Sequence, residues 1–352
     1  MQKMKSPSTK GVRGVGVLAL TSFSVLLCLS QSAPEPKTGT KQIVKAANAF
    51  LATLNEGQKK RELFSFDDQA QRARWSNFPT GFVRRAGLSL GEMSAPQRAA
   101  AMALLASTLS PKGLEKVQQI VDGDEALKGN EGGNPMFGKD LYYFSILGTP
   151  SEKSPWMLQF GGHHLALNIT ISGDQGILTP TLTGAQPSVY TANGKKIRPL
   201  GKESDKGLAL LNSLDESQRK QAILSYRMAD LVLGPGQDGK TIVPEGLKAS
   251  AMNEKQRAML LDLISEWSGI VHEDAAAARL RDIKAGLEET WFAWSGPTEV
   301  SPSGNIAAYY RIQGPKLVIE YSPQRMGGDP SMHVHTMYRD PTNDYGLGKV
   351  SK

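Results

Sequence analysis

The segment that organises this chain is LNEGQKK at residues 54–60, which returns as LDESQRK at residues 214–220. A second pair follows in the same order, MSAPQRA at residues 93–99 and MNEKQRA at residues 252–258. The first pair is offset by 160 residues and the second by 159. Two weaker matches keep this order at offsets of 148 and 152: residues 143–148 with 291–296, and residues 162–168 with 314–320. Such steady offsets predict two copies of one unit of about 150 residues.

The repeated segments carry the signature of a helix start. In each, a short polar side chain precedes a glutamine by three positions, which is the capping-box pattern: Asn55 and Gln58, Ser94 and Gln97, Asp215 and Gln218, Asn253 and Gln256. Apolar residues at helical spacing follow the second and fourth of these boxes. A further helix is predicted after Ser110, because Pro111 suits the first helical position.

Both copies then change to the period of β-strands. Apolar runs between short Gly, Pro and Ser turns predict three strands in each copy: residues 141–147, 156–160 and 164–171, then residues 290–294, 306–312 and 317–321. The predicted fold class is α+β, with two internally duplicated halves packed as one unit. Each half consists of helices followed by an antiparallel β-meander. The halves are expected to span residues 42–200 and 201–352.

Residues 1–32 are predicted to be a signal peptide. Four basic residues, the last of them Arg13, precede an apolar run at residues 15–29, and small side chains lead to a cleavage site before Ala33. The apolar run is short for a membrane span, and nothing later in the chain approaches one. We therefore expect a protein exported to the periplasm or the cell exterior, with residues 33–41 as a flexible tether.

Removing the signal peptide changes two properties of the chain. The net charge of +7 falls to +3, because the segment contains four basic residues and no acidic one. A nucleic-acid partner is therefore not expected. The only cysteine, Cys28, is also removed, so a metal site must use His, Asp, Glu or water. A lipoprotein attached through Cys28 is the alternative, although Leu27 is larger than that processing site normally takes.

Four of the five histidines form two clusters, His163 with His164 and His333 with His335. Imidazole is the commonest metal ligand, and residues i and i+2 of a strand point to the same face. His333 and His335 are therefore expected to project together as half of a metal site. His163 and His164 are adjacent, so a strand would direct them to opposite faces and only one is expected to join. The alternatives are exposed side chains for the His-x-His pair and a hydrogen-bonded strand end for the other.

Three further residues are candidates for catalysis, namely Glu320, Arg339 and Asp340. Glu320 ends an apolar run, where a carboxylate is costly unless it is paired or binds a metal. It is predicted to be a fourth ligand or the general base. Arg339 is predicted to bind an anionic substrate or to orient Asp340. The alternatives are a salt bridge for Glu320 and a structured C-terminal turn capped by Asp340.

Three motifs together resemble a known family. They are WSNFP at residues 75–79, FGGHHL at residues 160–165, and HVHTMYRDPTNDYG at residues 333–346. In these motifs the chain resembles the uncharacterised family catalogued as domain of unknown function 3500 (DUF3500), over nearly all of the mature chain. The resemblance implies one integrated unit and no particular activity.

The histidine clusters favour a metal-dependent enzyme, with a hydrolase favoured over an oxidase. Zinc is the favoured divalent ion and copper or iron the alternatives, because three protein ligands with an open position are typical of catalytic zinc. The expected substrate is a small or anionic molecule. The alternative is a non-catalytic secreted or periplasmic protein that binds a small molecule or a metal between the two halves. The oligomeric state does not follow from the sequence.

Overall fold

The computed structural model describes residues 39–325 and 328–350, with side chains described through Gly348. The predicted signal peptide, residues 1–32, lies outside the described residues. The first helix begins at Gly39, so the last three residues of the predicted tether are helical. Their helix is held to the fold because Thr40 is buried and donates a hydrogen bond to the carbonyl of Gly173, at 2.7 Å.

Most helices precede the long strands in each half of the sequence. They are α1 Gly39–Ala52, α2 Glu56–Glu62, α3 Gln69–Arg72, α4 Ala95–Thr108, α5 Pro111–Asn130, α6 Gly201–Ser213, α7 Glu216–Ala222, α8 Glu254–Ser268, α9 Glu273–Ala285 and α10 Leu347–Val350. No described helix is long and apolar enough to span a bilayer.

All four predicted capping boxes are present, and they start α2, α4, α7 and α8. The glutamines of two successive boxes also join their helices. The Gln97 side-chain amide donates to Gln58 at 2.8 Å, and Gln256 donates in the same way to Gln218 at 2.8 Å. The predicted start of α5 is confirmed as well, because Ser110 accepts from the backbone of Gly113.

The strands form one large mixed sheet and a small hairpin. They are β1 Leu63–Phe64, β2 Leu88–Ser89, β3 Tyr143–Leu147, β4 Trp156–Gly162, β5 Leu165–Ser172, β6 Gln175–Ile177, β7 Thr181–Ala185, β8 Tyr190–Ala192, β9 Lys195–Ile197, β10 Leu247–Lys248, β11 Trp291–Ser295, β12 Tyr309–Gly314, β13 Leu317–Pro323 and β14 Val334–Arg339. The long sheet has the order β1-β3-β4-β5-β7-β14-β13-β12-β11-β10, with β2 beside β3 and β6 beside β5. β8 and β9 pair separately.

The predicted antiparallel meanders are β3-β4-β5 and β11-β12-β13. The sheet is nevertheless mixed, because β1 runs parallel to β3. A strand of two residues is too short to show a period, so the sequence did not indicate it. The observed fold class is therefore α+β with one continuous sheet.

Two apolar cores lie between this sheet and its helices. In the first, Phe50 of α1 and Leu104 of α4 pack with Phe144 and Phe160. The second contains side chains of α6 and α8 with those of β11 to β14: Leu210, Leu263, Trp267, Phe292, Tyr310, Tyr321 and Val334. β7 and β14 pair antiparallel between the two groups of strands, with His335 opposite Gly184. This pairing places the beginning of β14 beside the β4–β5 turn.

Candidate metal centre

Two histidines at the beginning of β14 point away from the helices, His333 in extended backbone just before the strand and His335 within it. Val334 is part of the second core, and Thr336 accepts a hydrogen bond from the indole of Trp267 at 2.9 Å. Because side chains alternate along a strand, His333 and His335 lie on the opposite face of the sheet. Their rings contact each other, with centroids 4.7 Å apart. The predicted common orientation of this pair is confirmed.

The other two histidines form the turn between β4 and β5, where a strand start was predicted at residue 164. His164 has a φ of +61°, in the left-handed region that is uncommon for residues other than glycine. Its backbone N–H donates to Asn77 at 3.1 Å, and its carbonyl accepts from Gly184 at 2.7 Å. The turn stacks the rings of His163 and His164 at a centroid distance of 3.6 Å. The ring of His164 thereby reaches the β14 histidines.

Three imidazoles converge at this junction. The Nε2 atom of His333 lies 2.8 Å from Nε2 of His164 and 3.0 Å from Nε2 of His335. One ligand nitrogen from each residue lies within 4.8 Å of the others. Zinc–nitrogen bonds of about 2.0–2.1 Å with tetrahedral angles place two ligand nitrogens about 3.3 Å apart. A metal ion therefore fits if the rings separate by a few tenths of an ångström. The two histidine clusters meet, and they could hold a metal ion.

Burial keeps these three imidazoles neutral at neutral pH. Desolvation, with the neighbouring histidines as a smaller cause, lowers the pKa of His164 and His335 well below the usual 6.5. The same causes lower the pKa of His333 to about 4. A neutral imidazole has one ring nitrogen that carries a lone pair. His333 Nε2 therefore cannot form a normal hydrogen bond to both neighbours, whereas a shared cation satisfies all three lone pairs.

His163 lies outside the group of three histidines. The expected direction to opposite faces does not occur, because residues 163 and 164 form a turn in which their rings stack. The Nδ1 atom of His163 lies 2.6 Å from the Asp124 carboxylate, which also accepts from the backbone of Gly138 at 2.8 Å. The ring of Phe137 contacts the ring of His163, with centroids 5.1 Å apart. His163, fixed by Asp124, therefore supports the ring of His164 by stacking. Its predicted role as a ligand stays untested.

Asn77 and Gly184 complete the surroundings of the three histidines. The Asn77 side-chain nitrogen lies 3.5 Å from Nδ1 of His335. A side chain at Gly184 would meet His164 at 3.1 Å and the Val334 carbonyl at 2.9 Å, so only glycine fits there. Sequence reasoning did not single out Asn77, Asp124 or Gly184. Only Asn77 had a signal, because it lies inside the WSNFP motif.

Glu320 lies on the same face of the sheet as His335, but its carboxylate is hydrogen-bonded to other groups. Its carboxylate accepts hydrogen bonds from the backbone of Val232 at 2.7 Å, from the backbone of Leu233 at 2.8 Å and from the Tyr309 hydroxyl at 2.8 Å. Burial raises its pKa despite these bonds. Among the described residues, the group suited to a metal contains the three histidines and not Glu320. The contacts assign Glu320 to holding the loop before β10, and its predicted catalytic role stays untested.

Arg339 and Asp340 have partners at the other end of β14. Arg339 donates to the carbonyls of Leu233 and Gly234 and forms ion pairs with Asp238 and Asp344, each at 2.8 Å. These contacts use every nitrogen of its guanidinium group. They account for its burial without a substrate.

Asp340 pairs with Arg279 at 2.8 Å and accepts from the backbone and hydroxyl of Thr342. Its observed contacts therefore match the alternative of a capped C-terminal turn. No contact joins Asp340 to the three histidines among the described residues, and its catalytic role stays a prediction.

The comparisons with known proteins agree with the resemblance seen in the motifs. No curated protein and no solved structure is significantly similar to the chain. The family model described as "Protein of unknown function (DUF3500)" matches residues 36–347, which is nearly the whole chain. The chain therefore belongs to the DUF3500 family.

Proposed function

We propose that this protein is an exported metal-dependent enzyme whose ion is bound by His164, His333 and His335. The observation that supports this proposal is the convergence of three buried, neutral imidazole nitrogens that cannot all be satisfied by hydrogen bonds among themselves. Three protein nitrogens and one open position are the arrangement of catalytic zinc. A zinc ion held by these residues would supply a Lewis acid for the activation of water, which favours hydrolysis over oxidation.

The donor set favours zinc and leaves copper and iron as alternatives. All three side chains present nitrogen donors, and imidazole suits zinc, copper and iron alike. Metal identity therefore rests on the content of the purified protein rather than on geometry.

A small anionic substrate is supported by Arg85, near the β4–β5 turn. Its guanidinium donates to the carbonyls of Ser76, Phe78 and Gly162, the first two of which flank Asn77. No described carboxylate contacts it, and burial lowers its pKa to about 10, so it still carries its charge at neutral pH. This positive charge close to the histidines replaces the one that Arg339 was expected to provide.

The alternative function, non-catalytic binding of a metal or small molecule, is favoured by the burial of the histidines. His164, His333 and His335 are only 2%, 9% and 5% exposed. A structural metal site has all its positions closed, whereas a catalytic site keeps one open.

The metal itself is tested by elemental analysis of protein purified without a histidine tag. We expect about one metal ion per chain, and loss of the ion in the double variant His333→Ala/His335→Ala. The matched control is His272→Ala, because His272 belongs to neither cluster and caps α9. A metal-free wild type after growth with added zinc would contradict the proposal.

Replacing the bound metal with cobalt distinguishes the proposed enzyme from the non-catalytic binding protein. Azide added to the Co(II) form should change the visible ligand-field spectrum if the fourth position is open to solvent. An unchanged spectrum with a full complement of cobalt would favour the non-catalytic alternative. The same protein, assayed on activated carboxylic and phosphoric esters, gives the reaction class.

Export is part of the proposal and rests on the sequence of residues 1–32. Intact mass analysis of protein from the producing cell is expected to give a chain that begins at Ala33. A mass that includes Met1 would contradict export, whereas a lipid on Cys28 would support the lipoprotein alternative.

We also propose that the two halves arose by duplication. The supporting observations are the four capping boxes, the two glutamine pairs between successive boxes, and the equal pairing of β3-β4-β5 and β11-β12-β13. The metal ligands come from both halves, so the proposed site depends on their junction.

A further inference from the structure

The loop at residues 76–85, called the aromatic loop below, presents two aromatic rings to solvent beside the proposed metal centre. Phe78 is 56% exposed and Phe82 is 70% exposed, and they are the only exposed phenylalanines within residues 39–325 and 328–350. Single exposed apolar side chains are common on protein surfaces. Two large ones in one short loop form an apolar surface that no described part of the chain covers.

Hydrogen bonds hold the aromatic loop in one shape. The backbone of Phe78 donates to the Ser76 hydroxyl at 3.1 Å. The backbone of Phe82 donates to the Pro79 carbonyl at 3.0 Å. Arg85 closes the loop, because its guanidinium donates to the carbonyls of Ser76 and Phe78, each at 2.8 Å. A ligand that covers the two rings therefore does not have to order the loop first, which reduces the entropic cost of binding.

The aromatic loop is joined directly to the histidines. The Asn77 carbonyl accepts from the backbone N–H of His164 at 3.1 Å. Phe78 is the next residue, so its Cα lies about 3.8 Å from that of Asn77. Arg85 also donates to the carbonyl of Gly162 at 3.1 Å, at the end of β4. The exposed rings therefore belong to the edge of the proposed metal centre.

Apolar side chains continue from this loop to the histidines. A Cβ atom added at Gly81 would lie 3.9 Å from Cγ of Met136, so the Met136 side chain packs against the loop between its two phenylalanines. The next residue, Phe137, contacts the ring of His163, which stacks on His164. Methionine adapts its shape to irregular apolar groups. The surroundings suit a ligand with an apolar part.

The charge at the same place favours an anion. Residues 69–91 contain four arginines and no acidic residue. The group suited to a metal contains three neutral imidazoles and no carboxylate among the described residues, so a bound divalent ion would keep its positive charge. The guanidinium of Arg85 is already bonded to carbonyls. It therefore attracts an anion through its charge and not by direct contact.

The size of the apolar surface favours a small molecule over a protein. A phenylalanine has about 150–250 Å² to bury, so the exposed parts of the two rings amount to about 250 Å². A stable protein interface needs about 800 Å² from each partner. The two rings can cover one aryl or alkyl group, and they are too small to form a protein interface by themselves.

We propose that the substrate of the metal centre is an amphipathic anion, whose aryl or alkyl group packs against Phe78 and Phe82 and whose anionic group points to the histidines. The position of the anionic group rests on the proposed function, whereas the apolar contacts do not depend on the metal. Acetate and phosphate are then poor ligands, and an alkyl carboxylate of medium length is a good one.

The length of the alkyl chain is the variable that tests the site. Acetate, butanoate, hexanoate and octanoate are titrated into the full protein at equal ionic strength, and isothermal titration calorimetry gives each affinity. We expect the affinity to rise by about two- to fourfold for each added methylene, the upper value corresponding to full burial of that group. Hexanol, which has no charge, should bind more weakly than hexanoate. Affinities that do not rise from acetate to octanoate, or hexanol as tight as hexanoate, would overturn the proposal.

Matched variants locate the apolar contact. Phe78→Ala/Phe82→Ala changes only exposed side chains, so the fold and the metal content should be those of the wild type. All four carboxylates should then bind about as weakly as acetate. Val243→Ala, which shortens a side chain that is 79% exposed in the loop before β10, should keep the full dependence on chain length. An unchanged dependence in the phenylalanine double variant would contradict the site.

Metal analysis of the same samples separates this site from the proposed function. A metal-loaded wild type whose affinities do not depend on chain length would overturn the amphipathic substrate alone. A metal-free wild type that keeps the dependence would contradict the proposed function and support the apolar contacts.

Sedimentation with phosphatidylglycerol vesicles tests a membrane as the occupant of the aromatic loop. We expect the protein to stay in the supernatant. Wild-type protein that sediments with the vesicles, while Phe78→Ala/Phe82→Ala does not, would overturn the substrate assignment and identify a membrane surface instead.

Discussion

The two ends of β14 are equally buried but differ in how their polar groups are satisfied. At the beginning, His333 and His335 present nitrogens to each other and to His164, and no group within residues 39–325 and 328–350 satisfies all three lone pairs. At the end, every nitrogen of Arg339 has an acceptor. Burial of a polar group therefore does not identify a functional site. A set of polar groups whose partners the protein does not provide is the better indicator.

The largest expected effect is at the beginning of β14. His333→Ala/His335→Ala leaves one nitrogen ligand, so bound metal should fall from about one ion per chain to none, while the far-ultraviolet circular dichroism remains that of the wild type. Metal analysis and circular dichroism on the same sample check this. Retention of the ion would contradict a metal site at the beginning of β14, because it would mean that the metal binds elsewhere.

The matching change at the end of β14 should affect folding and not metal binding. Arg339→Met leaves Asp238 and Asp344 without their buried partner, and we expect the free energy of unfolding to fall by about 3–5 kcal/mol. Urea titration measures it, and the metal content of the folded fraction should be unchanged. The exposed Arg84→Met should stay within about 0.5 kcal/mol of wild type. A stable Arg339→Met protein would return Arg339 to the candidates for substrate binding.

The stability of the protein should also depend on pH through the histidines at the beginning of β14 when metal is removed with a chelator. The pKa of His333 is lowered in the folded protein to about 4, so between pH 6.5 and 4 the unfolded chain binds more protons. The stabilisation is therefore complete above pH 6.5 and is lost as pH falls toward 4.

For His333 alone this loss amounts to about 3 kcal/mol. Unfolding measured across this range should show a smaller slope in His333→Ala/His335→Ala. An equal slope would mean that the histidines are not the groups that titrate.

The smallest effect is expected from the residue that supports His163. Asp124→Asn weakens the contact that orients the ring stacked on His164. We expect metal affinity to fall by less than the about 10–100-fold that follows loss of a group bonded directly to a metal ligand. Competition with a chelator measures the affinity. Asp122→Asn, an exposed change on the same helix, is the control and should have no effect. An unchanged affinity in Asp124→Asn would show that stacking on His163 does not position His164.

Local sequence signals predicted most of the elements because they act over a few residues. A capping box needs only a residue and its neighbour three positions later, and all four were confirmed. The orientation of His333 and His335 followed from the two-residue period of a strand. The sequence missed β1 and the turn conformation of His164. A two-residue strand has no period, and the φ of His164 depends on a hydrogen bond that its N–H donates to Asn77 and one that its carbonyl accepts from Gly184, both far away in the chain.

For this protein, residue order alone establishes the helix starts, the two runs of strands and a possible metal-ligand set limited to nitrogen and oxygen. These properties depend on short-range geometry and on composition. Pairing between distant strands decides that His164 and not His163 joins the β14 pair. It also decides that Arg339 pairs with two carboxylates and that Nε and Nη1 of Arg72 have no hydrogen-bond partner among the described residues. Such outcomes depend on which groups meet across 100 or more residues of chain, because a buried polar group is satisfied only by the partners that the fold brings to it.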